Sequence, residues 1–138
     1  MAEPRNTIIE ADDLYTNFYT FEGTVRALNG VSVTVRRGET YGLVGESGCG
    51  KSVTVRSMMR IVQAPGHIED GEVRVFFDEE GHRKAINILD RSEAYMRSIR
   101  GNEISMIFQE ANASLNPVLT IGFQVGESFL FHRKAQMI

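Results

Sequence analysis

Residues 45–52 have the types and the spacing of a loop that binds phosphate groups. They read Gly-Glu-Ser-Gly-Cys-Gly-Lys-Ser and satisfy the pattern G-x-x-x-x-G-K-[ST] at every specified position. Glycines let the backbone curl so that successive N–H groups point inward and, with the N-terminus of a following helix, surround phosphate oxygens. Lys51 would reach the β- and γ-phosphates, and the Ser52 hydroxyl is a hard oxygen ligand suited to Mg²⁺. The pattern therefore predicts a nucleotide site.

The residues expected at the phosphates are consecutive, and most of them would act through backbone N–H groups. Cys49 is expected to contribute only its N–H. The set is Gly45, Glu46, Ser47, Gly48, Cys49, Gly50, Lys51, Ser52 and Val53. The alternative is a glycine-rich turn that carries a lysine by chance, but four specified positions coincide in a chain of this length at a rate of roughly 1% or less. The nucleotide site is therefore the favoured interpretation.

The elements beside this loop are those that such a site needs. Residues 40–44 form a short apolar run that predicts a strand ending at Gly45. Residues 51–62 place apolar side chains at helical spacing, and a Pro-Gly pair at residues 65–66 ends that pattern. Strand, loop and helix follow one another in the order that the motif requires.

Two further pairs of strands are predicted around this unit. Residues 7–18 mix β-branched and aromatic residues with polar ones, and residues 28–35 alternate apolar with polar, so both predict strands. An antiparallel connection near residues 22–23 would join them. Residues 72–77 and 85–89 predict a second hairpin.

The last third of the chain predicts two helices and one strand. Asp90, with Glu93 three residues later, predicts the N-terminal cap of a helix over residues 91–100. Residues 103–108 predict an apolar strand, and an amphipathic helix is expected beyond Thr120.

Composition limits the classes of protein that fit. The 138 residues are enough for one domain, and a net charge of −3 gives no electrostatic reason to bind a nucleic acid. A single cysteine excludes an intramolecular disulfide, and three histidines without short spacings give little support for a metal site; they are His67, His82 and His132. No signal peptide or membrane-spanning segment is predicted, so we expect a peripheral subunit if the protein works at a membrane.

The phosphate loop alone does not name an activity, because kinases, GTPases, motors and transporters all use it. A GTPase is one competitor, since residues 78–81 fit D-x-x-G. Acidic residues and glycine are also what a hairpin turn prefers, and no Asn-Lys-x-Asp motif that would read guanine follows.

Three separated stretches resemble the ATP-binding subunits of ABC transporters, in the branch that energises importers of oligopeptides, dipeptides and nickel. Residues 27–40 look like the lead-in to the loop of that family, and residues 45–52 are its usual loop. Residues 100–110 and 114–122 closely resemble its Q-loop region. The resemblance runs from about residue 8 to residue 127, and it implies an α/β fold with a P-loop NTPase core and an N-terminal antiparallel β subdomain.

The resemblance also assigns roles to individual residues. Gln109 would be the Q-loop glutamine, which contacts Mg²⁺ and the attacking water, so Lys51 and Gln109 would be the catalytic residues and Ser52 and Gln109 the metal ligands. An amide at a strand end can position metal and water without ionising, which suits phosphoryl transfer. An ordinary polar residue opening an exposed loop is the alternative for Gln109.

The family stacks adenine on an aromatic residue of its first β-hairpin. Phe18 aligns best by its distance from Ala27, and Tyr19 is the second choice. Tyr15 and Phe21 are near enough to compete, and any of these rings can instead be packing in the core.

The sequence lacks the Leu-Ser-Gly-Gly-Gln signature, the strand that ends in aspartate and catalytic glutamate, and the switch histidine that the family would supply. We therefore expect residues 1–138 to be one partial ATP-binding domain, truncated within the helical subdomain. Residues 1–108 would hold the β subdomain and P-loop core, and residues 109–138 the Q-loop and the start of the helical subdomain. The strand at residues 40–44 would have an unpaired apolar edge.

The resemblance implies a subunit that binds ATP and Mg²⁺ on the cytoplasmic side of the cell membrane and couples hydrolysis to import of peptides or similar small solutes. Its partners would be transmembrane permease subunits and a second ATP-binding subunit, with no nucleic acid. This chain alone is expected to have negligible hydrolysis. The alternatives are a non-hydrolysing nucleotide-binding or assembly module and a soluble P-loop GTPase or kinase.

Overall fold

The computed structural model describes residues 6–79, 82–110 and 114–133. The chain divides into two compact units, Met1–Arg91 and Ser92–Ile138, which are described one at a time.

The first unit is built on a four-stranded antiparallel sheet. Its strand order is β2-β1-β3-β4, so β1 lies between β2 and β3. The strands are β1 (Thr7–Thr20), β2 (Gly23–Arg36), β3 (Gly66–Glu79) and β4 (His82–Asn87). Both predicted hairpins are therefore confirmed, including the connection at residues 21–22. Glu80 and Gly81, at the predicted second turn, lie outside the described residues.

The strand β3 begins earlier than the sequence predicts, because its polar first half resembles a loop. Pairing with β1 continues through this half, from Ile9–Val75 to Phe18–Gly66. The register shifts between Asp12 and Tyr15, where Gly71 has φ +104° and a methyl group in its place would lie 2.6 Å from the Asp13 carbonyl oxygen. Glycine thus permits the close approach that lets the strand pass this irregularity.

One face of the sheet supplies the core of this unit. Leu14, Thr16, Val73 and Ile88 are fully buried, and the short helix α1 (Lys51–Met58) contacts β1 and β2. A helix over residues 51–62 was predicted, but α1 ends at Met58. Arg60 takes φ +53° and donates from Nη1 to the carbonyl oxygens of Ile88 and Arg91, which turns the chain out of the helical path.

The predicted strands at residues 40–44 and 103–108 are wrong. Both segments are irregular in the described structure, and Val44 and Ile107 are 97% and 98% exposed. A strand needs a neighbour to accept and donate its backbone hydrogen bonds. In the described ranges neither segment is part of a named strand, and the one parallel bridge in this region joins Arg100 to Ile104.

In its described residues, the second unit contains two helices, α2 (Glu93–Ile99) and α3 (Ile121–His132). The predicted cap at Asp90 is wrong: Ser92 caps α2 by accepting from the Tyr95 N–H at 3.2 Å, whereas Asp90 accepts from the Asn87 side chain at 2.7 Å. The helix beyond Thr120 is confirmed, and the Thr120 hydroxyl accepts from the Phe123 N–H at 3.3 Å. No residue of α3 is buried.

Candidate functional site

The phosphate loop, residues 45–52, leads directly into α1. Gly50 occupies the cap position of this helix with φ +93°, and Gly48 has φ +81°. Both angles lie in the left-handed region, which glycine adopts without the steric cost of a Cβ. Among the side chains that the structure describes, none caps the helix at Gly50. This arrangement leaves the positive end of the helix dipole facing the loop.

The ammonium group of Lys51 lies inside the loop. It donates to the carbonyl oxygens of Gly45 at 2.7 Å and Glu46 at 2.6 Å, and it contacts Cys49 Sγ at 3.3 Å. A methyl group at Gly45 would lie 2.6 Å from that sulfur, so any other residue here would require the Cys49 side chain to shift. Cys49 therefore takes part in the loop through two groups. Its side chain contacts Lys51, and its backbone N–H donates to the Glu46 carbonyl oxygen at 3.4 Å.

The remaining loop residues stay open to solvent. Glu46, Ser47 and Ser52 are exposed, and Val53 is half-buried. The Ser52 hydroxyl is thus accessible at the first turn of α1, where an oxygen ligand would meet an incoming metal ion with its phosphate.

The last glycine of the loop packs closely against β2. A methyl group at Gly50 would lie 2.9 Å from the Ala27 carbonyl oxygen and 3.2 Å from Leu28 Cδ2. The register of β1 and β2 shifts between the pairs Thr16–Leu28 and Asn17–Arg26, so Ala27 lies at the irregularity. The spacing of the loop motif gives no sign of this contact, which depends on where β2 bulges.

The candidate aromatic residues of the first hairpin do not share one environment. Phe18 is half-buried, and its ring lies beside Gly66, where a methyl group would come within 2.7 Å of Cε1. Tyr19 is exposed, donates from its hydroxyl to Glu69 at 2.7 Å and has its ring 5.8 Å from that of His67. Neighbours in a strand point to opposite faces, so Phe18 and Tyr19 cannot both serve one ligand face.

The other two aromatic candidates differ again. Phe21 lies at the hairpin turn and is fully exposed. Tyr15 is half-buried, and its hydroxyl would lie 3.0 Å from a methyl group added at Gly30. The structure therefore separates the four aromatics by exposure, and the choice of Phe18 as adenine platform stays a prediction.

Gln109 belongs to the second unit and is exposed. Ser52 belongs to the first, so a Mg²⁺ site shared by these two residues stays a prediction. Within the described ranges no group of three or more histidine, cysteine or carboxylate side chains is placed to hold a metal ion.

The side chain of Gln124, in α3, forms hydrogen bonds with the backbone of residues 116–119. Gln124 accepts from the Asn116 N–H at 2.7 Å and donates from Nε2 to the Asn116 and Leu119 carbonyl oxygens, each at 3.0 Å. Asn116 Oδ1 in turn accepts from the Val118 N–H at 3.0 Å. These bonds give residues 116–119 a fixed shape without burying them.

An arginine away from the loop holds the main charge cluster of the sheet. Arg74 bonds Glu10 at 2.9 Å, Asp12 at 3.2 Å and Glu72 at 2.7 Å. The hydrogen bond that Arg74 Nε donates to the Glu72 carboxylate favours the charged guanidinium and raises the pKa of Arg74 above its usual value. All three carboxylates are therefore paired with Arg74, and this cluster lies outside the phosphate loop.

Comparison with known proteins places the chain. A family model described as ABC transporter matches residues 28–137. The dipeptide transport ATP-binding protein DppD of Bacillus subtilis is 42% identical over 128 residues, which cover 92% of this chain and 36% of that protein. A probable peptide ABC transporter ATP-binding protein of Sinorhizobium fredii is 44% identical, with 91% and 35% covered. The glutathione import ATP-binding protein GsiA of Salmonella choleraesuis is 40% identical, with 93% and 20% covered.

The antiparallel sheet and the helix behind a phosphate loop fit the P-loop NTPase core of an ABC ATPase. The chain belongs to the ABC transporter family. It spans about a third of the length of the dipeptide and peptide transport relatives described above. In the described part of the chain, no helix is both long and apolar enough to cross a membrane.

Proposed function

We propose that this chain binds Mg–ATP at residues 45–53 and that the whole protein uses ATP hydrolysis to drive import of peptides or similar small solutes. The observation that carries the proposal is the loop itself. Its glycines hold left-handed angles, its lysine lies among its carbonyl groups, and a helix begins at its end without a side-chain cap. The relatives support the solute class, since their names specify dipeptide, peptide and glutathione transport.

Each predicted residue has a role in this proposal. Lys51 would move from the loop carbonyls to the β- and γ-phosphates, and Ser52 would ligate Mg²⁺. Gln109 would be the second oxygen ligand and would orient the attacking water. Phe18 would stack on adenine, and Tyr19 is the alternative because its ring is more exposed.

The proposal includes partners and a location. Transmembrane permease subunits and a second ATP-binding subunit would complete the assembly, at the cytoplasmic face of the membrane. Residues 109–127 would contact the permease, since the hydrogen bonds of Gln124 give a part of this segment a defined shape. Substitutions in residues 114–120 of the whole protein should then alter transport-coupled ATPase; an unchanged rate would remove this assignment.

The 138 residues by themselves would bind nucleotide without appreciable turnover. They contain neither the Leu-Ser-Gly-Gly-Gln signature nor the strand that ends in aspartate and catalytic glutamate, and each such contribution to catalysis is typically 10²-fold or more. The second candidate function is a non-hydrolysing nucleotide-binding or assembly module, which would use the same loop. Steady-state ATPase of the whole protein separates the two, because only the transporter subunit would turn over ATP.

The first test is binding of Mg–ATP and Mg–GTP to the purified chain, to Lys51→Ala and to Lys84→Ala as a matched control. Lys84 is an exposed lysine of β4 outside the loop. We expect ATP affinity to fall about 100-fold or more in Lys51→Ala and to be unchanged in Lys84→Ala. A folded wild-type chain that binds neither nucleotide, or equal affinity in both variants, would contradict the proposed site.

A further inference from the structure

A buried hydroxyl pair joins β1 to α1 behind the phosphate loop. Thr16 Oγ1 and Ser57 Oγ are 2.9 Å apart, and both residues have no exposed surface. They are 41 positions apart in the sequence, so neither the loop motif nor local periodicity indicates their contact. Buried hydroxyl groups need a hydrogen-bond partner, and these two satisfy each other.

We propose that Thr16 and Ser57 are positioning residues that hold the phosphate loop in register with the β1–β2 hairpin, so that one nucleotide can contact both. This inference rests on the proposed function, because it concerns how the ATP site is assembled. It assigns no contact with nucleotide to either residue.

The geometry of α1 connects this pair to the loop. Ser57 lies six residues after Lys51, which is about 9 Å along the helix. At the other end of α1, Gly50 lies against Ala27 and Leu28 of β2. The helix is therefore held at two points, its N-terminus on β2 and its last turn on β1. Two fixed points on a rigid helix define its direction, and the direction of α1 sets where the loop lies.

The geometry of β1 connects the same pair to the hairpin. Thr16 and Phe18 are two residues apart in β1, and this stretch pairs with β3 without a register shift, from Thr16–Ile68 to Phe18–Gly66, so both side chains lie on the face that α1 covers. The predicted adenine platforms Phe18 and Tyr19 follow Thr16 within three residues. Thr16 is thus the point of β1 where the helix of the loop and the aromatic hairpin meet.

The hydrogen bond between Thr16 and Ser57 restricts the position of α1 on β1 more narrowly than apolar packing alone would. Burial of apolar surface is non-directional, so the contacts of α1 through Met58 leave small shifts of the helix inexpensive. A hydroxyl pair has a narrow preferred distance, and a shift that separates the two oxygens leaves both unsatisfied in a buried place. The pair therefore favours one register of helix on strand.

The test compares two ligands in the whole natural protein: Mg–ATP, which would contact loop and hairpin, and Mg–tripolyphosphate, which would contact the loop alone. The main variant is Thr16→Val with Ser57→Ala, which removes both hydroxyls and leaves no unpaired buried group. Thr16→Ser retains the hydroxyl, and Thr7→Val is the matched control. Thr7 is a buried threonine at the other end of β1, about 30 Å from Thr16.

We expect the double variant to bind Mg–ATP about tenfold more weakly, with tripolyphosphate binding changed by less than about twofold. Thr16→Ser and Thr7→Val should keep the wild-type ratio of the two affinities. Should the double variant not fold, Ser57→Cys serves instead, because a thiol is a weak hydrogen-bonding group of similar size. It should shift the ratio in the same direction by a smaller factor.

Three results would overturn the inference. Unchanged affinities for both ligands in folded variants would mean that the pair only stabilises the fold, and equal weakening of both ligands would mean that it shapes the loop itself. If Thr7→Val also weakened binding of Mg–ATP relative to Mg–tripolyphosphate, the effect would be a general consequence of lost stability. If the wild-type protein binds neither ligand, the proposed function fails, and that outcome is distinct from the other three.

Discussion

The two longer helices of this chain reverse what their compositions would suggest. The helix α1 is rich in polar residues, yet Thr54, Ser57 and Met58 are buried in the first unit. The helix α3 contains three phenylalanines and other large apolar residues, yet none of its residues is buried and Phe129 is 58% exposed. Burial is thus decided by the surface a helix meets, because α1 has a sheet to pack on.

The difference extends to how each helix is fixed. Hydrogen bonds from buried side chains hold α1, through Ser57 to β1 and through Thr54 to the Gly50 carbonyl oxygen at 2.9 Å. The bonds that organise the start of α3 come from the exposed side chain of Thr120 and the half-buried side chain of Gln124. Buried hydrogen bonds resist competition from water, so we expect α1 to be the more rigid of the two.

The largest effect should come from removing apolar volume in α1 and not in α3. Met58→Ala should lower the free energy of unfolding by about 2 to 5 kcal/mol, because it opens a cavity beside the sheet. Phe129→Ala should change it by less than about 0.5 kcal/mol, because the ring is already solvated. Urea unfolding of both variants measures the difference; equal losses would end the contrast between the helices.

A methyl group at the start of α1 should have the next largest effect. Gly50→Ala places a Cβ 2.9 Å from the Ala27 carbonyl oxygen at φ +93°, so we expect a loss of about 2 to 3 kcal/mol. Gly38→Ala is the control, since Gly38 has φ +73° with no atom within 4 Å of an added methyl group. Its loss should be about 1 kcal/mol. Thermal unfolding that gives the same shift for both would show that the contact with β2 is not tight.

The buried hydroxyl pair sharpens the same comparison at a smaller scale. Ser57→Ala leaves the Thr16 hydroxyl buried without its partner and should lower stability by about 1 to 2 kcal/mol. Ser128→Ala in α3 removes a hydroxyl that donates to the Val125 carbonyl oxygen at an exposed position, and its effect should stay within about 0.5 kcal/mol. Hydrogen exchange of the α1 amides should report the first change and remain unaffected by the second.

The smallest effect is expected at Arg74. This side chain is one-third exposed, so Arg74→Met should cost less than about 1 kcal/mol, and the loss should shrink in high salt. Because the pKa of Arg74 is raised in the folded state, its contribution is complete below the ordinary pKa and is lost only as pH rises through the raised value. The difference between wild type and variant should therefore not vary with the charge of Arg74 between about pH 6 and about pH 9.

Local sequence patterns predicted the elements that form through near neighbours. Alternation and turn residues located both hairpins, and the spacing of glycines and lysine located the loop before α1. Residues 40–44 and 103–108 have the apolar composition of strands but no strand partners in the described structure, so composition was misleading there. Strand formation depends on a distant neighbour that a local window does not contain.

In the candidate site, too, the sequence predicted contacts between near neighbours and missed contacts between residues far apart in the chain. The motif located Lys51 and the glycines, whose contacts lie within seven residues of each other. The contacts of Gly50 with Ala27 and of Thr16 with Ser57 cross 23 and 41 positions and depend on a strand irregularity and on helix placement. The exposure of Phe18, Tyr19 and Phe21 likewise follows from the hairpin register, which the sequence did not specify.

The central position of β1 has a consequence for synthesis on the ribosome. All pairings of the sheet, and both anchors of α1, lie within residues 7–87. Hairpins form in microseconds, whereas translation proceeds at about 5 to 20 residues per second, so residues 92–133 take roughly 2 to 8 s to follow. The nascent chain can therefore complete the platform of the phosphate loop before Gln109 and α3 have emerged from the ribosome.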